Sequence, residues 1–75
     1  MYAPHEQRVV DEKMELDAKL QKLLAFLGSA TFAGLPDAKQ DRLIRQSVVM
    51  GDYSAVLGER IAAFPPAEAG GLKWQ

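Results

Sequence analysis

The feature that most constrains this chain is a pair of long stretches whose apolar residues recur every three or four positions, the period of an amphipathic helix. The first stretch covers about residues 4–28 and the second about residues 36–64, with a short connector between them. Pro4 and Pro36 suit the first turns of helices, and Pro65 stops the second helix. The pattern predicts an all-α fold, an antiparallel two-helix hairpin.

The length of the chain limits it to one domain. It has 75 residues, and a chain of this size buries only about 60% of the surface that it exposes when unfolded. We expect residues 1–64 to form the helical hairpin domain. Residues 65–75 contain two adjacent glycines and are expected to form a flexible tail, with Trp74 available to dock on a partner.

Composition excludes several kinds of chemistry. The chain has no cysteine and one histidine, so we expect no metal site, no cofactor, no His-based catalytic triad and no enzymatic activity. Nine Lys and Arg residues against ten Asp and Glu residues give a net charge of −1, which argues against DNA binding. No apolar run is long enough to span a membrane, so we expect a cytoplasmic protein.

The spacing of three and four also predicts which residues face each other across the hairpin. In the first helix the predicted row is Val9, Lys13, Leu16, Leu20, Leu23 and Leu27. In the second helix it is Leu43, Gln46, Met50, Tyr53, Leu57, Ile61 and Phe64. An antiparallel register then brings Leu20 near Met50 and Lys13 near Leu57.

Many apolar residues lie off these rows. They include Val10, Met14, Leu24 and Phe26 in the first helix and Ile44, Val48, Val49, Val56 and Ala63 in the second. A two-helix seam leaves such residues in water. We therefore predict that hairpins assemble into a helical homo-oligomer.

A stripe of small residues runs along the second helix, consisting of Ser47, Gly51, Ser54 and Gly58. Each glycine inside a helix costs about 1 kcal/mol relative to alanine. The stripe therefore indicates that something approaches the helix backbone closely. It is either another helix of a neighbouring protomer or a flat ligand.

Polar residues beside the predicted seam are candidates for ligand binding. Tyr53 is able to stack on a nucleobase, and Arg60 and Gln46 lie one heptad away on either side. Arg8 is expected near Arg60 at the open end of the hairpin. An arginine forks onto phosphate, so this set is competent to hold an anionic nucleotide. Arg8 and Arg60 are equally competent to form an ion-pair network with Glu12.

Two lysines of the first helix complete the set of candidates. Lys13 and Lys22 either contact phosphates or extend their ammonium groups into water. The predicted ligand-binding residues are therefore Tyr53, Arg60, Gln46, Arg8, Lys22 and Lys13.

Several segments together carry a family resemblance. In the first helix these are residues 5–13, Leu16-Asp17, Lys19-Leu20, Lys22-Leu23 and Phe26, and in the second Leu43, Gln46, Met50, Tyr53-Ser54, residues 57–60 and Phe64. With this set the chain resembles a family of very small phage proteins first catalogued from crAss-like phages. The resemblance covers about residues 4–64 and implies a phage origin and a two-helix hairpin.

In size and architecture the chain is also similar to the anti-CBASS and anti-Thoeris sponges of phages, small oligomers that sequester cyclic nucleotide signals. This similarity implies a counter-defence protein that acts in the bacterial cytoplasm during infection. It would hold a cyclic oligonucleotide or a cyclic ADP-ribose, uncleaved, in pockets between protomers. The alternative is an oligomeric inhibitor or adaptor that docks its apolar surface on a host protein.

Overall fold

A computed structural model describes residues 2–65 of the chain. Its helices are α1 (Pro4–Leu27), α2 (Ala30–Ala33) and α3 (Asp37–Ala62), and no strand occurs in the described range. The two long helices confirm the predicted all-α hairpin, with ends within two residues of those expected. The expected tail, including Trp74, lies outside the described residues except for Pro65.

The N-terminus of α1 is held by its own first turn. Pro4 occupies the first helical position, where a missing N–H costs nothing. The backbone N–H of Ala3 donates a hydrogen bond of 2.8 Å to the Glu6 carboxylate. Glu6 is buried by this contact, and its charge lies at the favourable end of the helix dipole.

The connector between the long helices contains a helical turn that the periodicity did not predict. Ser29 caps this turn, because its hydroxyl accepts the N–H of Phe32 at 3.1 Å and donates to the carbonyl of Phe26 at 2.6 Å. The rings of Phe26 and Phe32 meet edge to face with centroids 6.1 Å apart. These contacts close the apolar seam at the loop end.

One side chain of α3 fastens the connector to the second long helix. The amide nitrogen of Gln40 lies 3.0–3.2 Å from the backbone carbonyl oxygens of Phe32, Ala33 and Leu35. Carbonyls at a helix end need such partners. Gln40 therefore fixes the direction in which α3 leaves the turn.

The seam between α1 and α3 follows the predicted row on α1, and on α3 it follows the predicted row except at Gln46 and Tyr53. All six predicted residues of α1 are buried or half-buried, and Leu57 of α3 is fully buried. Gln46 and Tyr53, in contrast, are exposed. Ser47 and Ser54 take their places toward α1, since both are at least half-buried.

A polar cluster occupies the middle of this seam. The ammonium group of Lys13 lies 2.9 Å from the Asp17 carboxylate and 2.8 Å from the Ser54 hydroxyl, which in turn donates to Asp17. The three groups satisfy one another, with the Ser54 hydroxyl buried and the charged side chains of Lys13 and Asp17 still 30% and 43% exposed to water. The cluster joins α1 to α3 at one fixed register.

The two ends of the described range meet at the open end of the hairpin. The rings of Tyr2 and Phe64 contact each other edge to face with centroids 5.9 Å apart. Together with the polar cluster and the connector, this contact confirms the antiparallel arrangement. None of the helices in residues 2–65 is long and apolar enough to span a membrane.

Leu57→Ala is expected to lower the free energy of unfolding by about 2–5 kcal/mol, because it opens a cavity at a fully buried position. Chemical denaturation measures the loss. The matched control is Val56→Ala at the next position, where the side chain is 48% exposed. If both variants were equally destabilised, Leu57 would not be the centre of the core.

Asp17→Asn is expected to reduce the sensitivity of the fold to acid. Hydrogen bonds from Ser54 and Lys13 hold the pKa of Asp17 below its usual range. The carboxylate therefore stabilises the fold above the unfolded-state pKa, about 3.9, and this contribution is lost as pH falls below that value. Melting temperatures measured between about pH 5 and pH 2.5 should fall less steeply in the variant.

The control for this experiment is Asp52→Asn, on the outer side of α3. It leaves the polar cluster intact and should keep the wild-type slope. An equal slope in Asp17→Asn and the wild type would show that the cluster does not couple Asp17 to folding.

Candidate functional site

One side of the hairpin carries an aromatic stripe on α3. Val49, Tyr53, Val56 and Arg60 follow one another at spacings of four, three and four, which places them on one face of a helix. Tyr53 is 42% exposed. We call the side of the hairpin that bears this stripe the Tyr53 face.

Tyr53 is tied to α1 by its hydroxyl, which donates a hydrogen bond to the Glu12 carboxylate. This bond, with partial desolvation, raises the pKa of the Tyr53 hydroxyl above its ordinary value of 10.0, while the charge of Arg60 acts in the opposite direction. The side chain is therefore a neutral phenol at physiological pH. The hydrogen bond orients the ring at the junction of the two helices.

A shallow groove of about 270 Å³ lies beside the ring. It is lined by Glu12, Glu15, Leu16, Lys19 and Tyr53. The groove thus offers an aromatic wall, an apolar contact, two carboxylates that accept hydrogen bonds and one ammonium group. Such a set can stack a planar ring and accept hydrogen bonds from hydroxyl or amino groups.

Two arginines flank the groove at the open end of the hairpin. Arg60 lies seven residues from Tyr53, about 10 Å along α3, and Arg8 lies one turn before Glu12 on α1. Both side chains are exposed. The ion-pair network that Arg8 and Arg60 were expected to form with Glu12 is absent from residues 2–65, where the Lys13–Asp17 pair is the only ion pair. Both guanidinium groups are thus uncommitted to a carboxylate of this range.

The remaining predicted ligand residues lie elsewhere. Lys13 is half-buried and bonded within the seam, so the prediction that it contacts phosphate or extends into water is not met. Gln46 is exposed beside a separate groove of about 370 Å³ near the connector, which Lys39 and Arg42 also line. Lys22 is exposed on α1, toward the loop end.

The small-residue stripe has an explanation within the hairpin at two of its positions. Ser54 belongs to the polar cluster, and a Cβ added at Gly58 would lie 3.5 Å from the Lys13 side chain. Both positions therefore face Lys13 within the hairpin, and at Gly58 an alanine would make an ordinary van der Waals contact with that side chain. At Gly51, in contrast, an added Cβ would meet nothing within 4 Å.

Sequence reasoning missed the groove residues of α1. Glu12 was considered only as an ion-pair partner of Arg8 and Arg60, and Glu15 and Lys19 were not among the predicted ligand-binding residues, yet all three line the groove beside Tyr53. Their positions in the sequence could have indicated them, because each of the three directly precedes a residue of the predicted α1 row. In residues 2–65 there is no cluster of three or more His, Cys, Asp or Glu side chains that could hold a metal ion.

The described residues define an all-helical hairpin with one aromatic groove flanked by free arginines. A family model described as Sequestin matches residues 3–63. The chain therefore belongs to the Sequestin family, whose name points to sequestration of a ligand. No curated protein and no solved structure matches the chain.

Glu12→Gln is expected to lower the pKa of Tyr53 toward its ordinary value, because the hydrogen bond to a carboxylate is the largest cause of the rise. Ultraviolet titration in a Tyr2→Phe background isolates Tyr53, since the chain has two tyrosines. Glu15→Gln is the control, because it lines the same groove without bonding to the hydroxyl. An unchanged titration in Glu12→Gln would contradict the contact.

Proposed function

We propose that this Sequestin-family chain is a phage counter-defence protein that binds and sequesters a cyclic nucleotide immune messenger, of the cyclic oligonucleotide or cyclic ADP-ribose type, without cleaving it. The observation that carries the proposal is the groove beside Tyr53, with uncommitted Arg8 and Arg60 at its flank. The proposed place of action is the cytoplasm of the infected bacterium.

Each part of a nucleotide has a matching group on the Tyr53 face. The Tyr53 ring offers a stacking surface for a base, a contact that contributes roughly 1–3 kcal/mol per base. Glu12 and Glu15 accept hydrogen bonds from ribose hydroxyls or an exocyclic amine but repel phosphates. Arg8 and Arg60 bind phosphates as planar forks. The base is therefore assigned to the groove and the phosphates to its arginine end.

The size of the groove supports a pocket completed by a second protomer. Its volume of about 270 Å³ falls at or below the lower limit of typical ligand pockets, roughly 300–1,000 Å³, which bury most of their ligand. A cyclic dinucleotide needs a second wall. In the proposed homo-oligomer, another copy of the chain supplies it.

Sequestration needs affinity and abundance but no catalytic group. A protein that binds a messenger tightly removes it from solution by mass action, and the messenger is recovered intact when the protein unfolds. A short chain suits this role, because many copies are made at small cost.

A protein–protein inhibitor or adaptor is the second candidate. The observation that favours it is the exposure of Val49 and Val56 on either side of Tyr53, since apolar side chains around an aromatic ring are typical of protein interfaces. In that case the Tyr53 face would dock on a host protein and bind no small molecule.

The test is a thermal-shift panel of cyclic dinucleotides, cyclic trinucleotides and cyclic ADP-ribose isomers, followed by native mass spectrometry. A bound ligand at 100 times its Kd should add about 2.7 kcal/mol of stability. Tyr53→Ala and Arg60→Ala should each weaken binding about tenfold or more while circular dichroism stays unchanged. Arg45→Ala, on the outer side of α3, is the matched control and should bind as the wild type does.

Three results would overturn the proposal. The first is the absence of a shift across the panel. The second is full binding by both Tyr53→Ala and Arg60→Ala. The third is recovery of a cleaved ligand. Absence of a shift together with a stoichiometric complex with a host protein would favour the adaptor.

A further inference from the structure

The side of the hairpin opposite the Tyr53 face is apolar on both helices. On α3 its residues are Ile44, Val48, Gly51, Ala55 and Ala62, and on α1 they are Val10, Met14, Gln21 and Leu24. Because Tyr53 contacts Glu12 across the seam, the flanks that bear these two residues share one side. The other flank of each helix therefore shares the opposite side, which we call the apolar face.

The apolar face differs from the Tyr53 face in charge. No lysine or arginine of residues 2–65 belongs to it, although Arg42 and Arg45 border its connector end, where they line a groove with Asp41 and Ile44. Its carboxylate, Asp17, is already bonded to Lys13 and Ser54. Large apolar side chains are nevertheless in water, with Met14 66% and Val48 57% exposed. A solvent-exposed apolar surface that runs along both helices is typical of an interface.

Charge and symmetry point to a second copy of this chain as the occupant. A two-fold interface places the same surface of both copies face to face. The two copies therefore repel each other when that surface carries one sign of charge, and their association is favourable when the surface is apolar. The apolar face meets that condition, whereas two ligand-free Tyr53 faces would set Arg8 and Arg60 against the same residues.

The available area is sufficient for a stable dimer. Two helices about 36 Å long and about 10 Å wide give roughly 700 Å² per copy, or roughly 1,400 Å² in total. Specific interfaces bury roughly 1,200–2,000 Å². The hairpin also needs more buried apolar surface than it has alone, since Val9 and Leu57 are the only apolar residues of the described range that are buried.

We infer that two copies pack through their apolar faces into a four-helix bundle, with their α3 helices closest near Gly51. Gly51 lies within the face, between Val48 and Ala55. An added Cβ there would meet no atom of its own chain within 4 Å, so close packing within the hairpin does not require the glycine. A neighbouring α3 helix packed at this point does require the glycine, because glycine lets two helix backbones approach closely.

This dimer goes beyond the proposed function and does not depend on any ligand. It leaves both Tyr53 faces accessible to a ligand and to the further copy that completes the proposed pocket, so dimer formation and nucleotide binding can fail separately. The dimer is measured on ligand-free protein, and binding is measured by titration.

The test compares two neighbouring valines on different flanks of α3, which project about 100° apart around the helix axis. Val48 lies on the apolar face and is 57% exposed, and Val49 lies on the Tyr53 stripe and is 60% exposed. By light scattering after size exclusion, the wild type and Val49→Asp should have the mass of a dimer, and Val48→Asp that of a monomer. A monomeric wild type, or equal masses for the two variants, would overturn the inference.

A second variant keeps the test decisive if Val48→Asp does not fold. Gly51→Leu places a larger side chain where its own chain leaves open space, so it should keep its helical circular dichroism and lose the dimer mass. A dimer that persists in folded Gly51→Leu would refute packing at this position.

The melting temperature of the wild type should also rise with protein concentration, as it does for folding coupled to association, and a constant value would contradict the dimer.

Discussion

The contact among Lys13, Asp17 and Ser54 determines how the rest of this hairpin is arranged. A seam of leucines pairs almost equally well after a shift of one heptad, because leucine contacts are not directional. Hydrogen bonds between a buried hydroxyl and an ion pair are directional, and a shifted register would leave them unsatisfied. The cluster thereby sets Tyr53 beside Glu12 and creates the groove.

Once the register is set, the two flanks of the seam have different properties. The Tyr53 face combines an aromatic ring, carboxylates and free arginines, whereas the apolar face carries no Lys or Arg within the described range. Ligand recognition and self-association can therefore occupy separate surfaces of the same two helices. A chain with two long helices has few other surfaces to use.

The periodicity of the sequence was sufficient to predict both long helices and their antiparallel arrangement, because helix length and a short connector leave few alternatives. It failed at Tyr53 and Gln46, which occupy positions of the predicted row but lie outside the seam. Tyr53 and Ser54 belong to adjacent rows of α3, and spacings of three and four residues do not show which of the two rows faces α1. The choice depends on contacts across the seam, where Lys13 and Asp17 bond to the Ser54 hydroxyl and Glu12 accepts a hydrogen bond from Tyr53. The helical turn at Ala30–Ala33 was missed because four residues are too few to show a period.

The position of the polar cluster divides the seam into regions of unequal protection. Toward the connector, the helices are joined by Ser29, Gln40 and a continuous leucine row. At the open end the helices meet around the buried Val9 and Leu57 and, beyond these, through the contact between Tyr2 and Phe64. The amide hydrogens of the terminal turns of α1 and α3 should therefore exchange first with solvent. Arg8 and Arg60 sit on these two fraying helix ends. A phosphate that engaged both would link the ends together, and slowed hydrogen exchange in the terminal turns of α1 and α3 would be the signature of an occupied site.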